Sequence, residues 1–142
     1  MRIMLFFVLV VLLCACQHSM DYASQNLSAG WSFSNVISFT LEEQDRTAAS
    51  PINIIVDHSI DYGYENLYLI ISTSGAMSTS DTISLQLADT RGSWLSSCRS
   101  DHCLFSYPYE LSHSDGKVGE VSIRQYSREE VLKGINQIGV KL

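Results

Sequence analysis

Apolar and polar positions are arranged in two ways along this 142-residue chain. From Leu5 to Leu13 every residue is apolar. After residue 30 the apolar residues instead recur every second position in short runs, the spacing that puts alternate side chains on one face of a strand. Ile37, Phe39 and Leu41 form one run, followed by Ile52, Ile54 and Val56, then Leu67, Leu69 and Ile71, then Ile83, Leu85 and Leu87. Phe105, Tyr107, Tyr109 and Leu111 continue the pattern, then Val121, Ile123 and Gln125, then Ile138, Val140 and Leu142. Each run predicts a half-buried strand. Pro108 lacks an N–H for a ladder, so its strand belongs at an edge or carries a bulge. Turn-forming residues fill 42–50, 57–63, 73–81, 89–93 and the tetrad Ser114-Asp115-Gly116-Lys117.

One stretch departs from the alternation. Ser127-Arg128-Glu129-Glu130 has the form of a capping box, with Tyr126 and Val131 placed to pack as a hydrophobic staple and Gly134 placed to stop a helix. The spacing predicts one or two helical turns over Arg128 to Lys133. About eight short strands and that helix predict an all-β fold, an antiparallel β-sandwich of jelly-roll-like form with one short helix near the C-terminus. Trp31, Phe39, Leu69, Leu85 and Ile123 are its expected core, around which two sheets pack about 10 Å apart. In the third run Tyr68 falls on the face opposite Leu67, Leu69 and Ile71, so it is either exposed or part of a second apolar face.

The first apolar run has a different meaning. Arg2 supplies a positive start, the run is too short to span a bilayer, and Ala15 is the small residue a signal peptidase needs. Leu13-Cys14-Ala15-Cys16 resembles the lipobox of bacterial lipoproteins. That resemblance implies cleavage before Cys16 and lipidation of its thiol, because cutting before Cys14 would place bulky Leu13 at the small-residue position. The expected organisation is a signal peptide at 1–15, a lipidated anchor and flexible spacer at 16–30, and the sandwich domain at 31–142.

Losing Arg2 with the signal leaves eight basic residues against fifteen acidic ones, a net charge of −7 with His neutral. Such a balance argues against nucleic acid and against anionic lipid as partners. Cys14 leaves with the signal and Cys16 is acylated, so Cys98 and Cys103 remain as a pair in an oxidising compartment, where a disulfide is expected. Cys98, His102 and Cys103 could also ligate a soft metal, but they lack a fourth donor at zinc-site spacing. No metal or cofactor is expected.

Asp57-His58-Ser59 contains the residue types of a hydrolytic triad. Consecutive residues on an extended chain point to opposite sides, however, and cannot form the hydrogen-bond relay that such chemistry needs. With no Gly-x-Ser-x-Gly elbow either, catalysis is not expected. The tyrosines at 62, 64, 68, 107 and 109 and Trp94 instead offer large amphipathic contact area, and Tyr62 and Tyr64 are the candidate binding residues.

Three segments carry a family resemblance. Asp61 to Leu69 (DYGYENLYL), Asp81 to Leu95 (DTISLQLADTRGSWL) and Val121 to Arg128 (VSIRQYSR), the last running on to Leu132, Gly134, Ile135, Ile138 and Gly139, are similar to the GldH-type gliding-motility lipoproteins of the Bacteroidetes. The chain departs from that pattern at Gly63, at Val121 and in the Cys98 to Cys103 loop. The resemblance implies a non-catalytic, lipid-anchored envelope protein whose partners are other envelope lipoproteins or motility and type IX secretion proteins. Gln17 to Met20 lacks the acidic cluster common on surface-displayed lipoproteins of that phylum, which implies the outer membrane with the domain facing the periplasm. A β-sandwich lipoprotein that binds glycan through exposed aromatics is the alternative.

Overall fold

The computed structural model describes residues 22–41, 51–75, 78–111 and 118–142. Cys16, the signal segment, the turns at 42–50 and the Ser114 to Lys117 tetrad lie outside the described residues. Within them the chain forms β1 (Ala23–Asn26), β2 (Trp31–Ser32), β3 (Ile37–Thr40), β4 (Ile52–Ser59), β5 (Asn66–Gly75) and β6 (Thr79–Gln86). There follow β7 (Ser97–Arg99), β8 (His102–Tyr109), β9 (Val118–Gln125), β10 (Val131–Leu132) and β11 (Ile135–Lys141). One sheet has the order β1-β11-β4-β8-β7, a second has β3-β9-β5-β6, and β10 pairs with β2 as a small third ribbon. Every strand pair among the described residues is antiparallel.

Alternation builds the sandwich as the sequence predicts. Ile52, Ile54 and Val56 of β4 meet Leu67, Leu69 and Ile71 of β5, Leu85 of β6 and Ile123 of β9 in one core cluster. Trp31, Leu69, Leu85 and Ile123 are sealed from solvent and Phe39 nearly so. Each such side chain stabilises the fold by roughly 1.5–3 kcal/mol relative to exposure. Tyr68, the residue left open between two faces, is exposed. Pro108 pairs with Asn53 on one side, while β7 covers β8 only as far as Leu104, so the proline sits on an open edge.

The predicted helix over Arg128 to Lys133 does not form. The side chain of Gln125 reaches forward instead, where its Oε1 accepts from Ser127 N at 2.8 Å and from Ser127 Oγ at 2.7 Å, and its Nε2 donates to Glu129 O at 3.1 Å. Ser127 Oγ still accepts a backbone bond, from Glu129 N at 3.2 Å, but in a turn. Glu130 O is taken by Phe33 N, and Val131 and Leu132 pair with Ser32 and Trp31. A helix of one or two turns repays its nucleation poorly, and cross-strand bonds to β2 outcompete it.

Residues 22–30, read as the end of a spacer, are ordered into the fold: β1 pairs with β11 and Leu27 is buried. Gly139 permits this, since a Cβ there would lie 2.7 Å from the Tyr22 ring and 2.8 Å from Ala23 O.

The registers give the sandwich two distinct ends. Ala23, Val140, Lys141, Asn53, Ile52 and Tyr109 share one end of the first sheet, and Thr40, Glu120, Val118, Gly75 and Thr79 share the same end of the second. Trp31, Asn66, Gln125 and Leu132 mark the opposite end. Ten-residue β5 runs the full length, which sets the ends roughly 30 Å apart.

Candidate functional site

At the Trp31 end, the loop between β4 and β5 and the turn after β9 face each other across a groove of about 620 Å³. Its floor is Tyr62, Leu67 and Leu132, all buried. Tyr64, Tyr68 and Tyr126 stand around it, each with 44–52% of its surface exposed, beside Asn66, Arg128 and Glu129.

The structure brings the two candidate tyrosines together and gives them unlike places. Tyr62 belongs to the core cluster, and its hydroxyl donates to Asn66 O at 3.2 Å. Gly134, at φ +85°, makes room for it: a Cβ there would meet Tyr62 Cδ2 at 3.1 Å and its Cα at 3.3 Å. The same glycine's carbonyl accepts from Ser59 N and so fixes the start of the loop. Burial raises the Tyr62 hydroxyl's pKa strongly, so it stays a neutral donor. Tyr64 packs edge-on against it with ring centroids 5.6 Å apart. From there its hydroxyl crosses to the far wall and donates to Glu129 Oε1 at 3.0 Å. The carboxylate raises the Tyr64 pKa through that bond and through its charge.

The far wall depends on Gln125, which the alternating pattern assigns to a strand and to no further role. It is fully buried, and besides its bonds to Ser127 and Glu129 its Nε2 donates to Trp31 O at 3.4 Å. One amide therefore ties β2, β9 and the turn that carries Tyr126, Arg128 and Glu129. A polar residue at an inward position of an apolar alternation was the available sign, since a buried amide demands partners.

Asp57, His58 and Ser59 diverge as strand neighbours must. His58 is sealed in the core against Trp94, 4.6 Å between ring centroids. Its Nδ1 lies 3.0 Å from Ser59 O, and since a carbonyl only accepts, Nδ1 carries the proton. Nε2 then accepts from Ser96 Oγ at 2.8 Å. Burial lowers the His58 pKa and keeps the ring neutral. Asp57 points out of the opposite face, where Oδ1 meets His102 Nδ1 at 3.2 Å and accepts from Asn136 Nδ2 at 3.1 Å. The bond to Asp57 raises the His102 pKa.

Cys98 and Cys103 are joined by a disulfide across the β7–β8 hairpin, where they are direct cross-strand partners. Both sulfurs are committed to each other, and His102 turns to Asp57 rather than to them. The bridge holds Cys103 opposite His58 and closes a short loop, worth about 2 kcal/mol in the chain-entropy account. Cys16 lies outside the described residues.

No curated protein and no solved structure matches this chain. The sequence pattern that describes the GldH lipoprotein family, by contrast, matches residues 19–142, which takes in both sheets and every residue of the groove. The chain belongs to the GldH lipoprotein family, lipid-anchored proteins of the cell envelope and of the gliding-motility kind.

Proposed function

We propose that this protein is a non-catalytic interaction component of a gliding-motility or type IX secretion-associated assembly, tethered through Cys16 to the outer membrane and facing the periplasm. Its groove at the Trp31 end would engage a segment of another envelope protein. The observation that carries this reading is the rim itself: three exposed tyrosines round an apolar floor, at the end of the sandwich away from Tyr22. Tyrosine gives large contact area at low entropic cost, and such anchors concentrate binding energy at interfaces. Family membership supports the setting, and the sealed, neutral His58 supports a binding rather than a catalytic role.

A glycan is the second reading, favoured by Asn66, Arg128 and Glu129 standing beside rings on which a sugar could stack. The test is the double variant Tyr64→Ser, Tyr126→Ser in the full lipidated chain. An envelope-protein pull-down and a polysaccharide panel are run alongside melting curves. Loss of a protein partner with unchanged melting supports the proposal; loss of glycan binding alone replaces it with the second reading. Retention of every partner and ligand overturns both.

A further inference from the structure

Two paths of contact lead from the Cys98–Cys103 bridge to the loop that carries Tyr62 and Tyr64. The first runs through the turn that the bridge closes, where Asp101 O accepts from Ile60 N at 2.9 Å and so holds the loop two residues before Tyr62. The second runs through the ten residues from Leu87 to Ser96, which cross from β6 at the edge of the second sheet to β7 at the edge of the first. This strap is tied at its start, where Leu87 N and Ala88 N donate to Glu65 O and Leu95 N donates to Leu87 O. Its other half packs against the floor of the groove. The Trp94 ring centroid lies 4.6 Å from that of His58 and 6.5 Å from that of Tyr62, and Ser96 Oγ, two residues ahead of the bridge, donates to His58 Nε2.

Little besides the bridge holds the β7 end of these paths. All three residues of β7 are exposed, so burial contributes little there. Ser100 turns the chain at φ +55°, in the left-handed region that a residue with a Cβ enters at a cost. Three backbone pairings at a sheet edge remain. Against that weak background, closing so short a loop favours the paired hairpin over the open one by roughly thirtyfold. We infer that the bridge is a redox latch on the groove, shut when Cys98 and Cys103 are joined and released when they are thiols. The inference rests on the proposed function for what the groove does, and adds how it is controlled. Its chemistry is exchange with a dithiol. Cys103 is sealed and Cys98 exposed, so an incoming thiolate bonds to the Cys98 sulfur and expels Cys103 as a thiolate, which takes up a proton. The second sulfur of the dithiol then displaces Cys98, which is protonated in turn. Two electrons and two protons pass to the chain, and the dithiol departs as a disulfide. In an oxidising compartment a disulfide oxidant runs the same steps in reverse and sets the latch.

The test is amide hydrogen exchange on the full lipidated chain in detergent, with and without dithiothreitol. The expected result is exchange up to roughly thirtyfold faster at Leu95 and Tyr62 in the reduced chain, with Leu69 and Ile123 unchanged and protection restored by glutathione disulfide. Faster exchange at Leu95 but not Tyr62, or at neither, overturns the latch. Equal acceleration at all four makes the bridge a staple of the whole domain and overturns it too. The envelope-protein pull-down is then run with oxidised chain and with chain reduced and capped with iodoacetamide before the extract is added. A partner lost only from the capped chain supports the latch, and a partner kept by both overturns its control of the groove. If the oxidised chain captures no partner, the proposed function falls and the exchange rates alone judge the latch.

Discussion

Tyr62 and Tyr64 are two positions apart on one loop, yet the first is enclosed by Gly134, Trp94 and His58 while the second has nearly half its surface in water. Residue type and loop are shared, so the difference comes from what the rest of the fold brings to each. A glycine in a left-handed conformation, far along the sequence, opens space for one ring. A carboxylate on another turn holds the other by its hydroxyl. The groove thus has a floor fixed by packing and a rim fixed by polar contacts, and perturbation should treat them differently.

The largest contrast is between the tyrosines themselves. Tyr62→Ser should cost about 3–5 kcal/mol and lower the melting temperature by roughly 10 °C or more, as deletion of a buried aromatic does. Tyr64→Ser should stay within about 0.5 kcal/mol of the parent. Like shifts in calorimetry would break the comparison.

Gln125→Leu comes next. It strands Ser127 N and takes the amide donor from the carbonyls of Trp31 and Glu129, the latter keeping only Ser127 Oγ, at a cost of about 1–3 kcal/mol. Faster hydrogen exchange at Ser127 than in the parent would show that the rim has been released. An unchanged rate would mean the turn holds itself.

A smaller effect concerns pH and the neighbourhood of Tyr62. Because burial lowers the folded pKa of His58 below its ordinary 6.5, the unfolded chain binds the proton more readily. The stability that His58 contributes is therefore complete above pH 6.5 and lost as pH falls below it. His102, raised by Asp57, has the opposite sign: its contribution is present below 6.5 and lost as pH rises through its folded value. Urea midpoints at pH 7 and pH 5 should show a fall that His58→Gln flattens and His102→Gln steepens.

Smallest of all, Glu129→Gln should leave melting unchanged. Removing the charge that holds the Tyr64 proton should let that phenol ionise at lower pH. Ultraviolet titration of tyrosinate reads it, and an unmoved curve would detach Tyr64 from the far wall.

The strands were legible because their alternation reports burial directly, as Leu67, Leu69 and Ile71 or Val121 and Ile123 show. β1 was not, since an edge strand whose side chains are mostly exposed carries no apolar period and reads as linker. Ser127 to Glu130 carried a true local signal, but a buried glutamine two residues earlier and a waiting partner at Trp31 redirected it. That Tyr62 and Tyr64 share the turn before β5 was legible from their place just ahead of an alternating run. Their separation into floor and rim depended on Gly134 and Glu129, which no local pattern connects to them.

The strand order also constrains when the fold can form. β1 finds its ladder on β11 and β2 finds its own on β10, so residues 23–32 have no strand to pair with until residues 131–141 are present. Contacts this distant in sequence close slowly, on millisecond to second timescales for domains of this type. The two sheets can pair through β3 to β9 first, and the segment that carries Trp31 joins them late, when its distant ladders arrive.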